Sequence, residues 1–128
     1  MTHQAQAEEL LAAMKLLMDD ISSYKSAVAL LAVHSAIAFN DAVLAKLGPS
    51  TSKKDSNHSN AYRKTDRRCA EMKIDRHGLQ HLESLLADKT AYSYSGTVDE
   101  RKAKDAALKA QRFANWAYVN VFKEPINA

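Results

Sequence analysis

The chain has 128 residues, 46% of them hydrophobic and 26% charged, with 3 Gly, 2 Pro and a net charge of +3. These figures exclude a disordered tail, a collagen-like repeat and a disulfide scaffold, and so little turn-forming material favours a few long helices over many short strands. A chain of this size buries roughly two-thirds of its unfolded surface, so a single domain over residues 1–128 can form a core without a metal or a staple.

The one cysteine, Cys69, has no partner within the chain, which points to a reducing, cytoplasmic setting. Met1 to Glu9 are polar and acidic, unlike a secretion signal. The most apolar stretch, Ala27 to Phe39, falls short of the ~20 residues a bilayer requires, so no membrane span is expected.

Helical spacing divides the chain into five segments. Residues 4–18 place Leu10, Leu11, Met14, Leu17 and Met18 on one face, with Glu8 and Glu9 expected in the first turn. Ser22 or Ser23 is expected to cap a second helix that runs to about Leu47, where Gly48 and Pro49 stop it. That helix is apolar on nearly every side, so it belongs at the centre of a bundle. Its His34 is expected to be buried and bonded to a neighbouring helix. Asn40 and Asp41 interrupt it and are expected to contact Lys89 or the following loop.

Ser50 to Ser59 read as a polar loop. A third helix, about Asn57 to Lys73, carries a thin apolar stripe of Ala61, Tyr62, Cys69, Met72 and Ala70. A fourth begins near Asp75, with Leu79, Leu82, Leu85 and Leu86 in one arc, and ends around Tyr92 to Gly96. The fifth opens on Thr97 or Asp99 and presents Ala103, Ala106, Ala110, Phe113, Ala117 and Val121 before Pro125.

The positive excess is central: residues 53–76 hold 8 Lys/Arg against 4 Asp/Glu. Arg67 and Arg68 belong to this group, which His58, His77 and His81 extend, and such a field attracts phosphates. Asp66, Glu71 and Asp75 lie at pairing distance in the same stretch, so a solvated charged face is the simpler explanation of the pattern. His77 and His81 are four apart and can share one helix face, yet a metal would need further ligands and no metal or other cofactor is expected. Arg76 and His81 form a second pair. One continuous helix would point them about 140° apart, but Gly78 or a helix start near Arg76 relaxes that geometry and lets a guanidinium bind phosphate beside an imidazole that exchanges protons near neutrality. Such a pair suits RNA cleavage through the 2′-hydroxyl. Phe113, Trp116, Tyr118 and Phe122 read as core or dimer contacts rather than a stacking platform.

The five-helix layout, the run His34-Ser-Ala-Ile-Ala-Phe-Asn-Asp-Ala, His58 after a polar loop, LESLLADKTAYSYSG at 82–96, and the terminal helix from Lys102 to Phe122 together resemble the HEPN family of small helical bundles. The resemblance covers nearly the whole chain and implies an all-α, up-and-down bundle of about five helices that forms a homodimer through the second or fifth helix. It also implies RNA or nucleotide binding, with a metal-independent ribonuclease of toxin type as the catalytic form. That family uses an Arg-x4-6-His motif, and the literal match is Arg76, His77 and His81: Arg76 for charge on phosphate, His81 for proton transfer. The family motif usually stands near the start of the final helix, where this chain has Lys89 and Tyr94 instead. That alignment resembles the branch in which the protein is a non-catalytic, ligand-binding partner of a nucleotidyltransferase or an antitoxin. Arg76/His81 and Lys89/Tyr94 are therefore competing candidate clefts.

Overall fold

Thr2 starts the first helix by accepting the amide of Ala5 on its hydroxyl at 3.0 Å, and α1 runs His3–Met18. The computed structural model describes residues 2–48, 61–88 and 98–123. The 50–59 loop, His58, Lys89, Tyr94 and Thr97 lie outside the described residues. Because α1 begins at His3, Glu8 and Glu9 fall in its second turn and the first holds no acid. Ala7, Leu11 and Met14 form its buried face.

A turned segment, 19–24, reverses the chain. Neither Ser22 nor Ser23 caps the next helix. The amides of Ser23 and Tyr24 are bonded to the carbonyls of Asp20 and Ile21, so the chain winds directly into α2, Lys25–Leu47, without a serine oxygen. Gly48, at φ +80°, ends α2 by returning its amide to Leu44.

Helix α2 is the central rod: α1, α3, the two later helices and the turn over residues 118–122 all pack on it. Ala29, Ala32, Ser35, Ala36 and Ala42 let those neighbours approach, while Val28, Val33, Phe39 and Val43 fill the spaces between them. The whole helix, not Ala27–Phe39 alone, is apolar enough by length and composition to cross a membrane, and 61% of its most apolar stretch is buried by the rest of the chain. His34 is exposed rather than buried, because it falls with Leu30 on the narrow side of α2 that none of the described neighbours covers. Asn40 is buried and accepts a hydrogen bond from the Thr65 hydroxyl, so it ties α2 to the third helix. Asp41 lies beside His3 instead; loss of water around its carboxyl raises its pKa, partly offset by that imidazole.

Helix α3 spans Ala61–Glu71. Thr65 and Cys69, four apart, are its buried contacts, whereas Ala70 and Met72 are exposed. Met72 leaves the apolar stripe because the helix has already ended. Lys73 adopts φ +58°, Ile74 returns its amide to Cys69 and Lys73 to Ala70, which is a Schellman stop. Arg68 reaches back to α2 and donates from Nε and Nη2 to the Leu47 carbonyl at 3.1 and 2.9 Å.

Helix α4 is Leu79–Ala87, with Leu79, Leu82 and Leu85 buried. It starts four residues later than the leucine spacing suggests, since Asp75 to Gly78 form a turn. Helix α5, Glu100–Ala117, is capped by Asp99, which accepts the Lys102 amide at 2.7 Å, and it buries the whole expected alanine and Phe113 face. It continues as a π turn over Tyr118–Phe122. The aromatic residues are core. Tyr118 meets Phe39 and Phe122 edge to face at 5.8 and 5.7 Å, Phe113 stacks on Trp116 at 5.6 Å, and the Tyr118 hydroxyl donates to Glu8. No strand occurs among the described residues, and the architecture is an all-α bundle of five helices.

Burial, with Asp66 nearby, pushes the Cys69 thiol up to about 11, against a smaller opposing effect of Arg76. Arg67 and Arg68 do not activate it. A thiol reagent at pH 8 should therefore label Cys69 only as fast as the chain unfolds, with labelling accelerating through the urea transition. Rapid labelling of the folded protein would contradict the packing of α3 on α2.

Candidate functional site

The turn before α4 is held by two contacts. Asp75 accepts both the backbone amide of His77 at 3.1 Å and its ring Nδ1 at 2.6 Å, and the Asp75 carbonyl accepts the indole N–H of Trp116 at 2.8 Å. Trp116 lies directly over Gly78: a Cβ at that position would sit 2.2 to 2.5 Å from the indole carbons. Gly78 has φ −68° and ψ −18°, angles open to any residue, so the glycine supplies room rather than backbone freedom. Residues 75–78 are thus clamped onto α5. The first amides of α4 fold back onto the carbonyls of Arg76, His77 and Gly78, so this helix start is closed upon itself.

Between the clamped turn and α5 lies an open cleft of about 310 Å³, lined by His77, Gln80, His81, Arg112, Asn115 and Asn120, with Gly78 and Trp116 as its floor and Val119 at its edge. His77 and His81 therefore do meet in one site, although His77 precedes the helix instead of sharing its face. The His77 side chain is 93% exposed. Hydrogen bonds from His77 hold the Asp75 carboxyl below the usual carboxylate range, so at neutral pH Asp75 is an acceptor and His77 Nδ1 is the donor. That leaves Nε2 of His77 as the nitrogen free for a ligand. His81 is partly buried; loss of water, then the charges of Arg112 and Lys109, lower its pKa from 6.5. At pH 7 its ring is predominantly neutral. Asn120 donates its amide to the Trp116 carbonyl at 3.0 Å, which fixes the wall of the cleft.

Arg76 is not part of this site. Its guanidinium turns to α3 and pairs with Asp66 at 3.4 Å, which breaks the expected Arg76–His81 pair. The reason is the helix start: Arg76 lies before α4, on the α3 side of the turn, while His81 lies within α4 facing α5. Arg112 takes the place expected of Arg76. Arg68 is likewise committed elsewhere, to the Leu47 carbonyl and to Glu71 at 3.4 Å, and neither it nor Arg67 lines the cleft. Lys89 and Tyr94 fall outside the described residues. Arg112, Asn115 and Asn120 escape a reading of α5 centred on its apolar face; the signal for Arg112 and Asn115 is their three-residue step on the opposite face, and Asn120 joins them where the helix widens into the π turn. Among the described residues no three His, Cys, Asp or Glu side chains are arranged to hold a metal ion.

Comparison with protein-family models, with curated proteins and with solved structures finds no match to this chain.

Two outcomes test this geometry. In NMR titrations the His81 ring should titrate below 6.5; Arg112→Gln should move it part of the way back up, since burial remains, and Arg76→Gln should leave it unmoved. Because the folded chain favours the neutral ring, the His81 contribution to stability is complete above pH 6.5 and is lost as pH falls from 6.5 toward the lower folded value. Gly78→Ala should lower unfolding stability in urea by about 1–3 kcal/mol, the range for overpacking, as Trp116 is displaced. A neutral result would mean that Trp116 does not clamp the turn.

Proposed function

We propose that this protein binds RNA or a nucleotide in the His77–His81–Arg112 cleft and cleaves RNA there by acid–base chemistry, as a HEPN-like ribonuclease. The observation that carries the reading is the convergence of two imidazoles and a guanidinium in one open cleft, one imidazole oriented by a carboxylate and the other kept neutral by burial and neighbouring positive charge. Arg112 suits a phosphate through its fork of donors. Gln80, Asn115 and Asn120 add amides that match the edges of a base or the hydroxyls of a ribose.

In the proposed reaction neutral His81 takes the proton of a ribose 2′-hydroxyl, and the 2′-oxygen forms a bond to the adjacent phosphorus. The bond from phosphorus to the 5′-oxygen breaks, and His77 in its protonated form delivers a proton from Nε2 to that leaving oxygen. The products are a 2′,3′-cyclic phosphate and a 5′-hydroxyl end. Arg112 offsets the charge that gathers on the non-bridging oxygens. Asp75 positions His77 without touching the substrate. The buried, unpaired thiol of Cys69 is consistent with a reducing, cytoplasmic setting for this chemistry.

The test is cleavage of a labelled oligoribonucleotide in the presence of a chelator. His81→Ala and His77→Ala should each lower the rate by at least about a hundredfold, the lower range for loss of a general acid or base. Arg112→Gln should weaken binding and reduce its salt dependence by about one ion, whereas Arg76→Gln should leave both unchanged. Unimpaired cleavage by the folded His81→Ala protein would remove the assignment. Absence of both binding and cleavage in the wild type would leave the partner-subunit reading, with a nucleotidyltransferase or antitoxin as the other component.

A further inference from the structure

Residues 100–112 of α5 hold five Lys/Arg against two Asp/Glu, an excess of +3 that equals the net charge of the whole chain. Both acids are engaged within the helix: Lys104 pairs with Glu100 at 3.4 Å and Lys109 with Asp105 at 2.9 Å. Arg101, Lys102 and Arg112 are exposed and pair with no acid among the described residues. In the basic stretch that stands out in the sequence, by contrast, Arg68 and Arg76 are committed to Leu47, Glu71 and Asp66.

Arg101 and Arg112 are three helical turns apart with about 20° of rotation between them, so they stand on one line of α5 at a separation of about 16 Å. Leu108 lies on that line one turn from Arg112, and Val119 continues it past the cleft; they are 44% and 57% exposed. A ridge on which guanidinium groups alternate with apolar side chains fits a polymer in which phosphates alternate with flat bases. A run of carboxylates would engage the arginines and leave Leu108 uncovered.

We propose that this ridge extends the cleft, with Arg101 as a second phosphate subsite, and that it holds the part of a single RNA strand lying 5′ of the scissile bond. At the ~3.4 Å per phosphate of a stacked strand, the distance between the two guanidinium groups corresponds to about five nucleotides. The direction of the strand rests on the reaction assigned above to the cleft, and follows from the order of the two imidazoles along α5. The 75–78 turn stands at the level of Trp116, which bonds the Asp75 carbonyl and covers Gly78, whereas His81 stands at the level of Arg112 and Lys109, whose charges reach it. His81, on the Arg101 side, takes the 2′-hydroxyl proton, so the nucleotide that carries it and those before it run toward Arg101. His77, on the π-turn side, serves the leaving 5′-oxygen, so the strand beyond the break passes Val119 and Asn120. A single strand is required, because in-line attack by the 2′-oxygen needs a backbone that has left the A-form stack.

A pentaribonucleotide with 2′-O-methyl groups throughout cannot be cleaved, so its binding reads the ridge without the chemistry. In fluorescence anisotropy it should bind at least about tenfold more tightly than the matching dinucleotide, which reaches only the cleft. Arg101→Gln, at an exposed position that keeps the fold, should weaken the pentanucleotide about threefold, as for one exposed ion pair, lower its salt slope by about 0.7 and leave the dinucleotide unchanged. Arg63→Gln, which removes an exposed charge from α3, should change neither. A nitroxide on the 5′ end should broaden the amide signals of Arg101 and Lys102, and one on the 3′ end those of Val119 and Asn120. Equal affinity for the two lengths, an Arg101→Gln protein that binds as the wild type does, reversed broadening, or equally tight and Arg101-dependent binding of pentaglutamate would each overturn the proposal. A strand bound in the expected direction but never cleaved in its unmethylated form would remove the chemistry and leave the ridge, whereas His81-dependent cleavage with no effect of Arg101→Gln on binding would remove the ridge and leave the chemistry.

Discussion

The fold depends on how closely other helices can approach α2. A rod that is surrounded must present short side chains wherever a neighbour's backbone passes, and α2 does so with alanines and a serine, reserving its longer side chains for the gaps. Volume added at Ala29, Ala32 or Ala36 would push away α1 or α5, and those two helices carry most of the remaining core between them. The buried polar contact between Asn40 and Thr65 then fixes how α3 sits on the rod, since an apolar surface alone would tolerate several rotations of so short a helix. Arg68 adds to this by satisfying the last carbonyl of α2 from α3.

The same demand for close approach recurs at the cleft. The indole of Trp116 takes the volume that any side chain at position 78 would need, and its N–H takes up the carbonyl of Asp75. The turn is therefore positioned by the core rather than by its own sequence, and the two imidazoles inherit that position. His77 is turned by Asp75; His81 is set by the helix that begins immediately after the turn. Electrostatic tuning follows from placement, because His81 lies low enough to lose water and near enough to Arg112 and Lys109 to disfavour its charged form.

The segments and their apolar faces were legible because burial imposes a period: α5 buries the alanine and Phe113 face that its spacing marks, while in α1 Leu11 and Met14 are buried and Leu10, Leu17 and Met18 only half-buried, and in α4 Leu86 is half-buried beside three buried leucines. Capping was partly legible: Asp99 and Gly48 act where their types suggest, while Thr2 outcompetes the acids further along α1 and the serines before α2 are bypassed. Charged residues were the least legible. Arg76 and Arg112 are equivalent in composition, and what separates them is that one precedes a helix start and pairs with Asp66 while the other emerges from α5 beside His81. His34 shows the same limit, since whether a polar residue in an apolar helix faces a neighbour or solvent depends on gaps between helices that no local pattern records. The His77–His81 pair was visible as a spacing, and its carboxylate and guanidinium companions were not, because they arrive from a turn and from a helix thirty residues away.

The π turn at the end of α5 makes one short stretch of backbone serve two masters. Tyr118, Val121 and Phe122 face inward, where Tyr118 binds Glu8 of α1 and leans on Phe39, while Val119 and Asn120 on the same widened turn form the outer wall of the cleft. A disturbance at the front of α1 would be felt through Tyr118 as a rotation of that wall. The opening of the chain and the mouth of the cleft, more than a hundred residues apart in order, are in this way mechanical neighbours.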